Sequence, residues 1–161
     1  MMISDKMAAR LNEQVNNEFY SSWIYMAMAY SFEEMNLKGF AKWFFAQAEE
    51  EKSHAMKIAG YIVDQGGTVK LKQLSEPQGD YESAEAIVKA TLEHEKKVTK
   101  QIDEIAALAE SENDRATREF MSWFINEQVE EVASATDLLN MVQMAQSPGQ
   151  LLMLQSHLSR D

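Results

Sequence analysis

Glu50-Glu51-Lys52-Ser53-His54 is the stretch whose reading decides the fold. It lies inside a run, about 38–65, whose apolar residues recur every three or four positions, and that period predicts a helix. The inward seam of this helix reads Phe40, Phe44, Gln47, Glu51, His54, Ile58, Tyr61. A glutamate and a histidine three residues apart thus sit on an apolar stripe, where neither is buried without a partner.

Working outward, three more runs carry seams of the same kind. The first helix, about 5–34, reads Leu11, Val15, Glu18, Ser22, Tyr25, Ala29, Phe32. The third, about 82–110, reads Val88, Thr91, Glu95, Val98, Ile102, Ile105, and the fourth, about 114–145, reads Met121, Phe124, Gln128, Glu131, Ala135, Leu138, Val142. Each is apolar at both ends and polar in the middle. A short fifth helix is expected at about 148–158, with Ser147 as its cap and Pro148 at its first position; Asn113 is expected to cap the fourth. Short joints pair the first helix with the second and the third with the fourth. Between the pairs, 66–81 is long enough to run back along a helix. The expected architecture is all-α, a four-helix bundle with one long crossover and a short C-terminal helix, forming a single domain over 1–161.

Counting residues tests whether the polar positions meet. Glu18, His54, Glu95 and Glu131 each lie about 18 residues from the joint of their own hairpin. At ~1.5 Å per residue all four sit about 27 Å from that end, so they share one layer. Burying even one carboxylate alone costs several kcal/mol, and no Lys or Arg occupies the four seams. The counter-charge is expected to be a pair of divalent cations. Carboxylates with one imidazole and no thiolate suit Fe, Mn or Zn, and Glu51-x-x-His54 is the i, i+3 spacing by which di-iron bundles hold metal.

Composition narrows the alternatives. The 161 residues contain no cysteine, which excludes disulfides, thiolate zinc sites and iron–sulfur clusters, and only six Gly and two Pro, which argues against an all-β chain. Lys plus Arg is 15 against 26 Asp plus Glu, a net charge of −11. Such a surface repels nucleic acid and anionic membranes and attracts cations. No segment reads as a signal peptide or a membrane span, so a cytoplasmic location is expected.

At these residues the sequence resembles the ferritins, specifically the non-haem prokaryotic type, over essentially the whole chain. The matching stretches are Asn17-Glu18-Phe19-Tyr20-Ser21-Ser22, Glu50-Glu51-Lys52-Ser53-His54-Ala55-Met56, Glu93-His94-Glu95 and Phe124-Ile125-Asn126-Glu127-Gln128-Val129-Glu130-Glu131. The resemblance implies one iron held by Glu18, Glu51 and His54 and another by Glu51, Glu95 and Glu131, with Gln128 at the edge and Tyr25 beside the centre. It implies oxidation of Fe(II) by O2 or peroxide and storage of Fe(III) in a 24-subunit shell. A third iron site is implied at Glu50, Glu127 and Glu130, the alternative being a solvated acidic face. Haem is not expected, because Lys52 stands where bacterioferritins have methionine and Gln128-x-x-Glu131 replaces their second Glu-x-x-His. Cysteine-ligated iron, as in rubrerythrins, is excluded. The alignment also places Arg118 and Met121 where animal ferritins carry an acidic pore pair.

The reading from another class is a non-catalytic bundle whose centre holds structural Zn or Mn. His94, turned about 100° from Glu95, is expected in solvent. Trp43 reads as packing and Trp123 as packing near the metals. The methionines, among them Met26, Met28, Met141, Met144 and Met153, read as core and interface filler. Tyr25 reads equally as a core tyrosine or a redox residue, and His157 as a pore-lining or a plain surface residue.

Overall fold

A computed structural model describes residues 2–158; residue 1 and residues 159–161 of the expected domain lie outside the described residues. The helices are α1 (Asp5–Glu34), α2 (Lys38–Asp64), α3 (Ala84–Ser111), α4 (Arg115–Met144) and α5 (Pro148–Leu154), the last continued by a 3-10 turn, Gln155–His157. No helix among the described residues is long and apolar enough to cross a membrane. α1 packs along α2 and α3 along α4, giving the two expected hairpins joined by the long crossover.

Local chemistry sets the ends. Ser4, Ser83 and Ser147 accept backbone N–H groups of Met7, Ala86 and Gln150, capping α1, α3 and α5. The expected cap of α4 is corrected: Asp114, not Asn113, accepts the Thr117 N–H at 3.0 Å. Asn113 instead ends α3 in the left-handed region at φ 55°, as Asn36 ends α1 at φ 59°. Asparagine tolerates that conformation, and the chain then closes with Leu37 N–H on the Phe32 carbonyl and Asp114 N–H on that of Ala109. α2 has no side-chain cap of its own at Leu37. Gln155, from the 3-10 turn, supplies it, its Oε1 accepting Gly39 N–H at 2.7 Å and Phe40 N–H at 3.2 Å.

The crossover is held by a ladder of side chains. Asn12 donates to the Thr68 carbonyl and accepts from Lys70 N–H; one turn later Asn16 does the same with Lys70 and Lys72. Asparagines at i, i+4 match every second residue of an extended strip, so α1 replaces a neighbouring strand for it. This keeps the segment along the bundle and returns the chain to the starting end.

The core comes in two pieces. One contains Tyr25, Phe32, Phe40, Phe44, Ile87 and Leu138; the other contains Met7, Leu11, Ile58, Ile62, Ile102 and Phe124. Between them runs the polar layer. Two seam positions are corrected: Ser22 and Tyr61 are half-buried, and Ser21 and Ile62 are buried instead. In α1 the buried residues Leu11, Gln14, Glu18, Ser21, Tyr25, Met28 and Phe32 form a 3-4 row, with Val15 and Ala29 of the expected seam buried beside it. Met28 is core and Met26 packs against it, whereas Met144 and Met153 are mostly exposed in the single chain.

Candidate metal centre

Glu18 stands on α1, Glu51 and His54 on α2, Glu95 on α3 and Glu131 on α4, every one buried. Ligand atoms of Glu18, Glu51 and His54 lie within 4.8 Å of one another, and so do those of Glu51, Glu95 and Glu131. The two triads share Glu51. His54 Nδ1 is 3.3 Å from Glu51 Oε2. No Lys or Arg forms an ion pair with these four carboxylates among the described residues.

Buried acids without cations hold protons instead. Burial, then the negative Glu51, pushes the Glu18 carboxyl well above the ordinary range. Burial, then Glu95, does the same to Glu51. Burial raises Glu95 against the lowering effect of its hydrogen bonds from Tyr25 and Gln128. Burial, then Glu95, carries Glu131 up to about 8. Divalent cations would displace these protons and supply the missing charge. Glu18 Oε2 is buried and has no hydrogen-bond partner, as a ligand atom held for an ion would be. The donor set, oxygen-rich with one imidazole, fits hard to borderline divalent ions.

Amides and rings frame the carboxylates. Gln47 Nε2 donates to Glu51 Oε1 and Glu131 Oε2, both at 2.8 Å. Gln128 Nε2 donates to Glu95 Oε2 at 3.1 Å and to Thr99 Oγ1 at 3.1 Å, so Gln128 sits at the edge as expected, with its amide nitrogen turned toward Glu95. The Tyr25 hydroxyl donates to Glu95 Oε1, and its pKa is raised first by burial and then by Glu95. Trp123 meets the His54 ring edge-on at 5.5 Å, with Lys57 Nζ 3.3 Å above the indole. Trp123 is therefore next to the centre, while 39% exposed.

The expectation for His94 is corrected. It is half-buried, 2.7 Å from Ser21 Oγ and edge-on to Tyr25 at 5.6 Å. Burial lowers its pKa to about 4. A turn of 100° from Glu95 carries it out of the α3 seam, but α1 covers it there.

The three outer glutamates gather as expected. Glu50, Glu127 and Glu130 line a cavity of about 230 Å³ with Trp43, Gln47, Glu131 and Ser134. Trp43 is thus both buried packing and cavity wall. Glu127 also reaches toward the centre, its Oε2 3.9 Å from His54 Nε2, and ligand atoms of His54, Glu127 and Glu131 form a third close group. Sequence reasoning missed Gln14, fully buried and donating to Glu18 at 3.0 Å. The signal was present, since Leu11, Gln14, Glu18 and Ser21 are themselves spaced 3-4-3.

A profile of the ferritin-like domain matches residues 8–145. The chain belongs to that family. A bacterial non-haem ferritin of Bacteroides fragilis is 34% identical over 148 residues, covering 92% of this chain and 93% of that one. One from Staphylococcus aureus is 37% identical over 132 residues, covering 82% and 80%. Among solved structures, a ferritin of the archaeon Archaeoglobus fulgidus described as open-pored superposes with a TM-score of 0.96 at 41% identity, covering 99% of both chains. This ferritin-like chain therefore has the expected bundle with its short C-terminal helix.

Proposed function

We propose that the protein stores iron and is a ferroxidase, oxidising Fe(II) at a two-iron centre within each subunit. The observation that carries this reading is the buried layer of Glu18, Glu51, His54, Glu95 and Glu131, split into two triads that share Glu51 and paired with no Lys or Arg among the described residues. Two Fe(II) held side by side give up one electron each, and O2 accepts both together with two protons, leaving two Fe(III) and hydrogen peroxide. The chain's contribution is position: it fixes the two substrate ions close together and takes up or releases protons at the carboxyls. The Fe(III) then leaves for a mineral held inside a shell of 24 copies. This shell is supported by the likeness to ferritins from two bacteria and an archaeon, and by exposed apolar side chains such as Trp23, Tyr30, Leu152 and Met153.

Glu18→Ala and His54→Ala should keep the fold and slow the initial oxidation at least about tenfold, since losing even an outer partner of a metal ligand typically costs that much. Stopped-flow absorbance after mixing with Fe(II) and O2 measures it. Parent-like initial rates in both variants would show that these residues are not the ligands. Parent protein that binds two Zn(II) or Mn(II) but gives no fast oxidation would instead favour a structural metal bundle.

Glu50, Glu127 and Glu130 are proposed as a third iron site, on the strength of the acidic cavity they line beside Glu131. Glu130→Ala should preserve the first rapid phase and change the number of Fe(II) consumed per O2. An unchanged ratio, with two ions per subunit in iron-soaked crystals, would leave them as surface charge.

A further inference from the structure

We infer that Gln14 is a positioning residue that aims Glu18 at the metal, and that Arg10 sets the direction in which Gln14 points. The inference rests on the two-ion reading of the centre and deepens it. Arg10 Nη1 lies 3.4 Å from Gln14 Oε1. A guanidinium has donors only, so the Gln14 carbonyl must face it. Asn17 Nδ2 donates to the same oxygen at 3.3 Å. The amide nitrogen is thereby committed to the opposite side, where it donates to Glu18 Oε1 at 3.0 Å and to Gln101 Oε1 at 3.3 Å. Glu18 Oε1 is engaged and the buried Oε2 has no hydrogen-bond partner, while a carboxylate oxygen of Glu18 lies within 4.8 Å of ligand atoms of Glu51 and His54. The chain of donors fixes which oxygen of Glu18 is free.

The anchor is itself fixed. Arg10 donates through Nη2 to the Gln101 carbonyl at 3.0 Å and lies 3.6 Å from Glu104 on α3 and 3.8 Å from Glu13. Its side chain is only 16% exposed. The relay therefore runs from a half-covered cation on the flank of the bundle through a fully buried amide to the ligand. Gln47 and Gln128 clamp the other three carboxylates, but each does so directly.

The test is metal affinity, not turnover. Gln14→Leu keeps the volume and removes the donor; Arg10→Met keeps the stem and frees the amide to rotate. Isothermal titration of the metal-free protein with Co(II), read alongside the visible Co(II) spectrum, resolves two ions per subunit. Q14L should weaken the His54-side ion about tenfold to a hundredfold and leave the other within about twofold, as loss of an outer partner does. R10M should weaken the same ion several-fold. In an E18A background Q14L should have no further effect, since the two act through one carboxylate. Parent-like affinity in Q14L, or equal weakening of both ions, overturns the inference while leaving the centre standing. A parent that binds no Co(II), or binds it undiminished by His54→Ala, overturns the centre and the inference together. Should Q14L fail to fold, R10M decides alone, and parent-like affinity in it is contrary.

Discussion

Glu131 is one of four buried carboxyls that should make the metal-free protein's stability depend on pH. Its pKa rises on folding from the ordinary carboxylate value to about 8, first through burial. A group raised in this way favours the folded state fully below its unfolded pKa, and that contribution is lost as pH rises through the folded value. Stability of the metal-free chain should therefore fall between about pH 5 and pH 8, with Glu18, Glu51 and Glu95 acting in the same direction. Glu131→Gln should flatten part of that slope. Thermal melts across this range, without metal, check it, and an equal slope in both proteins would assign the effect to general charge repulsion. The centre residues were legible because a carboxylate on an apolar seam contradicts its surroundings. His94 was not, because the spacing on α3 says nothing of the α1 side chains, Ser21 and Tyr25, that cover it. Gln14 was passed over because the expected α1 seam runs through Val15, although Leu11, Gln14, Glu18 and Ser21 keep the same spacing.

At the scale of elements, the decisive contact is between α2 and the C-terminal turn. Gln155 satisfies two N–H groups of an otherwise uncapped helix, and a Cβ built on Gly39 would lie 2.8 Å from Gln155 Cβ. Gly39 is thus the space that lets the cap approach. Gln155→Ala should cost about 1 kcal/mol, as lost helix caps do, and Gly39→Ala should loosen the same contact by pushing Gln155 away. Faster amide exchange at Gly39 and Phe40 in both variants is the expected reading. Parent-like exchange would mean that water caps α2 equally well. Helix periods and the long crossover were readable from apolar spacing. The remote cap was not, because its two halves stand far apart in the chain and neither is unusual alone. The Asn12 and Asn16 ladder escaped notice likewise, since asparagine on a helix reads as solvent-facing until the extended strip is laid against it.

The whole molecule presents apolar surface that one chain does not cover. Trp23, Tyr30 and Leu71 are 47%, 58% and 70% exposed, and Leu152 and Met153 project from α5. Patches of this kind mark contacts between copies. The protein should sediment as a large shell, not as an 18.4 kDa monomer. Deletion of residues 147–161 should weaken the assembly, as analytical ultracentrifugation would show; a shell of unchanged mass and salt resistance would move the contacts elsewhere.

The division of the core into two apolar halves has its own consequence. The same four helices run through both halves, and across the middle they meet through a buried layer rich in carboxyls and amides, Glu18, Glu51, Glu95 and Glu131 with Gln14, Gln47 and Gln128. Ions held there would act as a rivet at mid-height, joining the ends by binding the folded state alone, and the gain would grow with the logarithm of free ion over its dissociation constant. Resistance to heat or protease would then be a gauge of supply: the metal-free chain should be cut sooner by a protease than the same chain with metal added.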